Sequence, residues 1–161
     1  MTVLVLASFQ ASAAAERAAV GIVRLCRAGE ASTHGAASAR WHVGAPRPAV
    51  RHYPGDPAVG GVDWRFWGLV LGIALSLPLA AAARGSAGGL AAQMLGDVGI
   101  ADELLNRLRD DVVPGRSALL VLAPEAGCAR LVDALREQAG RTHWLELADA
   151  EDRALWAAFA A

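Results

Sequence analysis

Trp64–Gly99, WRFWGLVLGIALSLPLAAAARGSAGGLAAQMLGDVG, is the stretch whose reading decides the fold, because no other part of the chain is as apolar or as rich in small residues. Trp67 to Ala83 carries no charge, and a helix that crosses a bilayer needs roughly 20 apolar residues, with about 17 the lower limit. The length is borderline, so the small residues have to be weighed as well. Gly68, Gly72 and Ser76 recur at steps of four, followed by Gly85 and Gly89, with Gly88, Ala92 and Gly96 on an adjacent row. Residues four apart share one side of a helix. A glycine costs about 1 kcal/mol relative to alanine in a helix interior, so such rows fit a face packed closely against another backbone. Pro78, with Arg84 and Gly85 after it, divides the stretch into two arms. The expectation is a Gly/Ala-rich helical hairpin whose packing or oligomerisation residues are Gly68, Gly72, Ser76, Gly85, Gly88, Gly89 and Gly96.

Two environments fit such a hairpin, a membrane and the interior of an assembled protein. Gln93 and Asp97 interrupt the second arm, and a carboxylate near a bilayer centre is expensive, which argues against two full spans. Arginines flank the segment on both sides, Arg40, Arg47, Arg51 and Arg65 before it and Arg84, Arg107, Arg109 and Arg116 after it. The positive-inside rule therefore gives no orientation. Trp64, Arg65, Phe66 and Trp67 have the composition of a membrane interface, and equally of a hydrophobic lid on a core.

Composition narrows the function classes. The chain has 161 residues, enough for one domain with a core, and 15 basic against 16 acidic residues give a net charge of −1. That balance supplies no field to attract nucleic acid. Cys26 and Cys128 each fall within an apolar helical pattern and read as buried thiols. The apolar run at the N-terminus has no basic residue before Arg17, so it reads as a strand leading into a helix, with no cleaved signal expected.

Outward from the hairpin, Thr2 to Phe9 has the Val/Leu content of a central strand, and Ser12 is placed to cap a helix carrying Ala15, Ala19, Ile22, Val23 and Cys26 at helical spacing. Alternation at Ala37, Ala39, Trp41 and Val43 predicts a strand, and Ala49 to Tyr53 a short returning one. Beyond the hairpin come a helix from Ala101 to Val112, a strand from Ser117 to Ala123, and a helix opened by Pro124 and Glu125. A strand from Thr142 to Leu147 and an amphipathic tail helix from Asp149 complete the chain. A strand–helix–strand unit thus stands on each side of the insert. The predicted fold is α+β, a ferredoxin-like split βαβ sheet over one domain, 1–161, with a first half at 1–53, the hairpin at 64–99 and a second half at 101–161. If both halves share one sheet, the insert returns to the side it left.

No chemistry stands out. His34, His42 and His52 lack an accompanying acidic residue between Glu30 and Asp56, so they read as scattered polar surface and not as a metal site, and His143 beside Trp144 reads as structural. Ser117, Cys128 and His143 share no motif, Asp110-Asp111 at a helix end read as solvated, and the glycines from Gly85 to Gly89 are followed by no Gly-Lys-Ser/Thr. No catalytic, cofactor-binding or metal residue is expected.

The block from Trp67 to Leu122 carries a family resemblance. It holds a Trp-Gly start, an apolar run with a central proline, small-residue repeats, Asp97-Val98-Gly99-Ile100 with Asp102 and Glu103, then Pro114-Gly115 and Ser117-Ala118-Leu119. In that order these features resemble the DUF1269 family, bacterial proteins classed as predicted membrane proteins of unknown function. The pattern departs from the family at Arg84 and in the Pro- and His-containing segment between Glu30 and Gly61. The resemblance implies no catalytic residue. The sequence leads to a non-enzymatic, self-associating protein attached by its hairpin to membrane lipid at the cytoplasmic face, a homo-oligomer with no nucleic-acid partner. The alternative is a soluble cytoplasmic ligand-binding or regulatory module with the hairpin as a dimer arm.

Overall fold

Two strands from opposite ends of the chain form the centre of the molecule. In the computed structural model, which describes residues 1–77 and 90–161, β1 (Thr2–Phe9) pairs with β4 (Ser117–Pro124) over their full lengths, Val5 opposite Val121. β5 (Arg141–Glu146) flanks β1, and β2 (Gly35–Arg40) and β3 (Ala49–Pro54) continue the sheet beyond β4. The order is β3-β2-β4-β1-β5, with every neighbouring pair antiparallel. The fold is α+β, a five-stranded antiparallel sheet with six helices among the described residues.

Both faces of this sheet are covered, which is why β1 and β4 read as continuous apolar runs and not as alternating ones. Val3, Val5, Ala7 and Phe9 of β1 and Leu119, Val121 and Ala123 of β4 face α1 (Ala14–Arg27) and a second helix, Cys128–Arg136. Leu4, Leu6, Leu120 and Leu122 face the opposite way, towards α2 (Trp64–Ala74), α3 (Leu90–Asp97), α4 (Asp102–Asp111) and a tail helix, Asp149–Phe159. In chain order Cys128–Arg136 is α5 and the tail helix α6.

α2 explains the apolar stretch. It lies on β2 and β3 and also contacts α3 and α4, so it meets protein on more than one side, and a helix apolar all round is a buried one. Phe66, Leu69, Val70 and Ala74 are fully buried, and Gly68 and Gly72 are buried with them. Asp63 caps the helix, its carboxylate accepting from the Arg65 backbone N–H at 2.8 Å. The helix stops before Pro78: Ser76 adopts φ +55 and the Leu77 N–H donates to the Gly72 carbonyl at 2.9 Å, the left-handed stop that closes many helices. Ser76 is exposed beyond the helix end, so on α2 the row at steps of four consists of Gly68 and Gly72. Gly96 is exposed on α3, and a side chain there would meet nothing within 4 Å. Gly85, Gly88, Gly89 and the break expected at Pro78–Gly85 lie outside the described residues. Among the described residues no helix is long and apolar enough to cross a membrane.

Two local expectations are corrected. Ser12 does not cap α1; the buried Ser117 of β4 does, its hydroxyl accepting from the Ala15 N–H at 3.1 Å and donating to the Ala11 carbonyl at 2.6 Å. A helix is capped by whichever oxygen reaches its second or third N–H, and here that oxygen comes from across the sheet. α5 starts at Cys128, not at Pro124, because β4 runs on to Pro124 and Gly127 turns the chain at φ +86.

Candidate functional site

The sheet is least covered at its β2–β3 end. α1 lies over β2 and β4, and its C-terminal half overhangs the next strand without filling the space. A cavity of about 340 Å³ results, between Ala19, Ile22, Val23 and Cys26 on α1, Ala36 on β2, Tyr53 on β3 and the turn at Gly55, Asp56 and Pro57. The volume is at the lower end of those that hold small molecules. Alanines at 19 and 36 create it, since both are buried against the sheet and neither fills the gap.

The turn that closes this cavity is built in. The Asp56 N–H donates to the Thr33 carbonyl at 2.8 Å, the Val62 N–H to the His34 carbonyl at 3.0 Å, and the Asp56 carboxylate accepts from the Ala58 N–H at 2.9 Å. Gly55 packs so tightly that a side chain there would come 2.4 Å from the His34 backbone carbon. His34 itself is buried, its ring set edge-on to Trp156 at 4.7 Å, and because Nδ1 lies 2.8 Å from the Gly60 carbonyl, Nδ1 carries the proton. Burial pushes its pKa down, against the opposing pull of the Gly60 bond and the Asp152 charge.

Inside the cavity the chemistry is that of binding. Burial raises the Cys26 thiol above its ordinary value and the Asp56 charge adds to this, outweighing the hydrogen bond with Thr33 that lowers it. The thiol stays protonated near neutrality, the opposite of an activated nucleophile. Arg27 and Asp56 supply one charge of each sign to the lining, and Thr33 and Tyr53 supply hydroxyls. These groups can orient an amphipathic molecule through hydrogen bonds while the α1 side chains hold its apolar part.

A polar cleft opens elsewhere, between the end of β1, the end of α4 and the start of β5. Ser8 donates its hydroxyl to Asp111, and Arg107, Arg116 and Arg141 border the same space. Asp110 and Asp111 are therefore not equivalent solvated carboxylates: Asp111 is half-buried and bonded, Asp110 exposed. His143 lines part of the cleft, but the Ser8 proton is committed to Asp111.

The remaining residues singled out from the sequence are dispersed. Phe66 and Trp67 are 0% and 2% exposed and pack edge-to-face at 4.8 Å, with Phe159 at 5.5 Å from Phe66. Trp64 stays 48% exposed. Arg65 ion-pairs with Asp63 at 2.7 Å and reaches the Ala158 carbonyl at 3.3 Å, joining the start of α2 to the end of α6. His34 precedes β2, His42 follows it and contacts the Ser12 hydroxyl at 3.1 Å, and His52 lies on β3. Among the described residues no three His, Cys, Asp or Glu side chains gather where they could hold a metal ion. The α1–β3 cavity is what sequence reasoning missed. Its only signal was Cys26, Ile22 and Val23 on a helix with two alanine-lined faces, which is indistinguishable from ordinary core.

No curated protein and no solved structure matches the chain. The model of one family does, over residues 58–160, from the loop before α2 to the end of α6. With well over half of its length matched, the chain belongs to DUF1269, a family of proteins of unknown function.

Proposed function

We propose that this chain is a non-enzymatic binding module, a ferredoxin-like split βαβ sheet with β3 as an extra edge strand, that holds a small amphipathic molecule between α1 and β3. The strand order supports the topological part: β1–α1–β2 and β4–α5–β5 each leave a strand, cross one face and return, and their four strands interleave as β2-β4-β1-β5. The observation that carries the functional part is the cavity of about 340 Å³ with a protonated thiol, two hydroxyls and one charge of each sign around an apolar wall. The test uses 1-anilinonaphthalene-8-sulfonate, an apolar anion small enough to enter. Saturable fluorescence enhancement, slowed maleimide labelling of Cys26 in its presence, and loss of both in Val23→Trp are expected. Absence of saturable binding, or binding unchanged in a folded Val23→Trp, removes the reading.

Membrane attachment and self-association through the 64–99 segment form the second reading. Two observations favour it: Trp64 is exposed at the start of α2, and Gly96 is uncovered on α3. Flotation with anionic liposomes that is lost in Trp64→Ser would support it, and a full-length protein that never floats and runs at monomer mass would end it.

A further inference from the structure

On the other face of the same two strands, a recess of about 170 Å³ lies between α2 and the β2–β3 hairpin, lined by Ala37, Val50, His52, Trp64, Trp67 and Leu71. Two of these residues carry a buried nitrogen with no hydrogen-bond partner, Trp67 Nε1 and His52 Nε2. Trp67 is 2% exposed, so water at the surface does not serve its N–H. Buried polar groups without partners are few in folded proteins, and each costs about 1–3 kcal/mol, so two on one recess call for a physical reason. The backbone leaves room beside the indole nitrogen. Gly35, in a backbone conformation of φ +138 that side chains avoid, sits where a Cβ would come 3.2 Å from Trp67 Nε1.

The walls decide what kind of group fits. They are mostly apolar, and the cations nearby are occupied: Arg51 borders the recess, but its guanidinium stacks on Tyr53 at 5.4 Å, on the opposite face of β3, and Arg65 is paired with Asp63. Asp63 is close enough to act on His52, and burial lowers the pKa of that imidazole, which is neutral near pH 7. A carboxylate or phosphate would meet no free positive charge here. A neutral oxygen acceptor meets the indole N–H and, with the imidazole proton on Nε2, a second N–H donor.

We propose that this recess binds a small uncharged apolar molecule bearing a carbonyl oxygen, the oxygen accepting from the indole N–H of Trp67 and from the Nε2–H of His52, in the tautomer that carries its proton there, while the body lies against Val50, Leu71 and Trp64. The site is separate from the α1–β3 cavity and stands or falls independently of it. The recess admits one ring, so acetophenone is the probe and toluene, which has the shape without the acceptor, its control. In the full-length protein the Trp67 indole N–H resonance is identified by its proximity to Gly35. It should move saturably with acetophenone, with toluene binding about tenfold more weakly, the equivalent of one lost hydrogen bond. His52→Phe preserves the ring and should weaken acetophenone about tenfold while leaving toluene unchanged. Equal affinity for the two ligands, no saturable shift, or magnetisation transfer from Trp67 to a long-lived bound water that acetophenone does not displace would each overturn the proposal. Trp67→Phe is not needed, so a failure of that core variant to fold leaves the test intact.

Discussion

Phe66→Ala is the substitution that separates the two readings of the apolar stretch. If Phe66 anchors α2 in the protein's own core, its removal strongly destabilises the fold; if it belongs to a surface that meets lipid, the folded state loses little. The ring is 0% exposed and stands edge-to-face with Trp67 at 4.8 Å and 71° and with Phe159 at 5.5 Å and 64°. A sealed phenyl removed from a core costs about 3–5 kcal/mol, the burial lost plus the cavity left. Two aromatic contacts, each about 0.5–1.5 kcal/mol beyond burial, place this position towards the upper end. For a domain of this size each kcal/mol moves the melting temperature about 2–4 °C, so a drop of about 10–15 °C is expected. Urea unfolding in the absence of detergent measures it as a lower midpoint at unchanged slope. Trp64→Ala, at a position 48% exposed at the first residue of α2, should stay within about 1 kcal/mol. A Phe66→Ala cost below about 1.5 kcal/mol, or a Trp64→Ala cost equal to it, would refute the assignment of α2 to the core.

Two further substitutions probe the joints of the fold. Ser117→Ala removes the oxygen that caps α1 and its bond to the Ala11 carbonyl, and should cost about 1–2 kcal/mol with faster amide exchange at Ala15; a neutral variant would mean that Ser12 takes over the cap. His34 has a pKa lowered by burial, so the unfolded chain binds its proton first as pH falls. Its stabilisation is complete above the unfolded value of about 6.5 and is lost progressively below it, and His34→Gln should flatten the fall in urea midpoint between pH 7.5 and 5; identical pH profiles for both proteins would contradict this.

How far the sequence revealed this structure depended on whether neighbours in the chain are also neighbours in space. β1, β4 and the helices α1, α4 and α6 were legible because their apolar residues follow one period and their ends carry glycine, proline or acidic residues. The α+β class followed from counting strand–helix–strand units. The cap of α1 was not legible, because Ser117 is far from Ala15 in sequence and reaches it only when β4 sits beside β1. Neither were the recesses, which exist because Ala19, Ala36 and Ala37 are small at places where sheet and helix fail to meet. A small residue in a sequence reads as close packing; only the positions of the surrounding elements show whether the space beside it is filled.

The apolar stretch shows the same limit at the level of layers. A helix packed against a sheet and two neighbouring helices is buried on nearly every side, and its composition then approaches that of a segment in lipid, which is how Trp67 to Leu77 acquires its borderline hydropathy. The discriminating feature is length: α2 is 11 residues, about 16 Å at 1.5 Å per residue, against a hydrocarbon core of about 30 Å. The family match has a related consequence. Residues 58–160 include β4 and β5 but neither β1 nor β2, the two strands that pair with β4 on its two sides. The matched part therefore depends on residues 1–57 to complete its sheet. The whole lining of the α1–β3 cavity, and Ala37, Val50 and His52 of the α2 recess, come from those same residues. Within this chain the segment that marks the family supplies every described helix but α1 and the central strand of the sheet, while the segment outside the match shapes what the two recesses can hold.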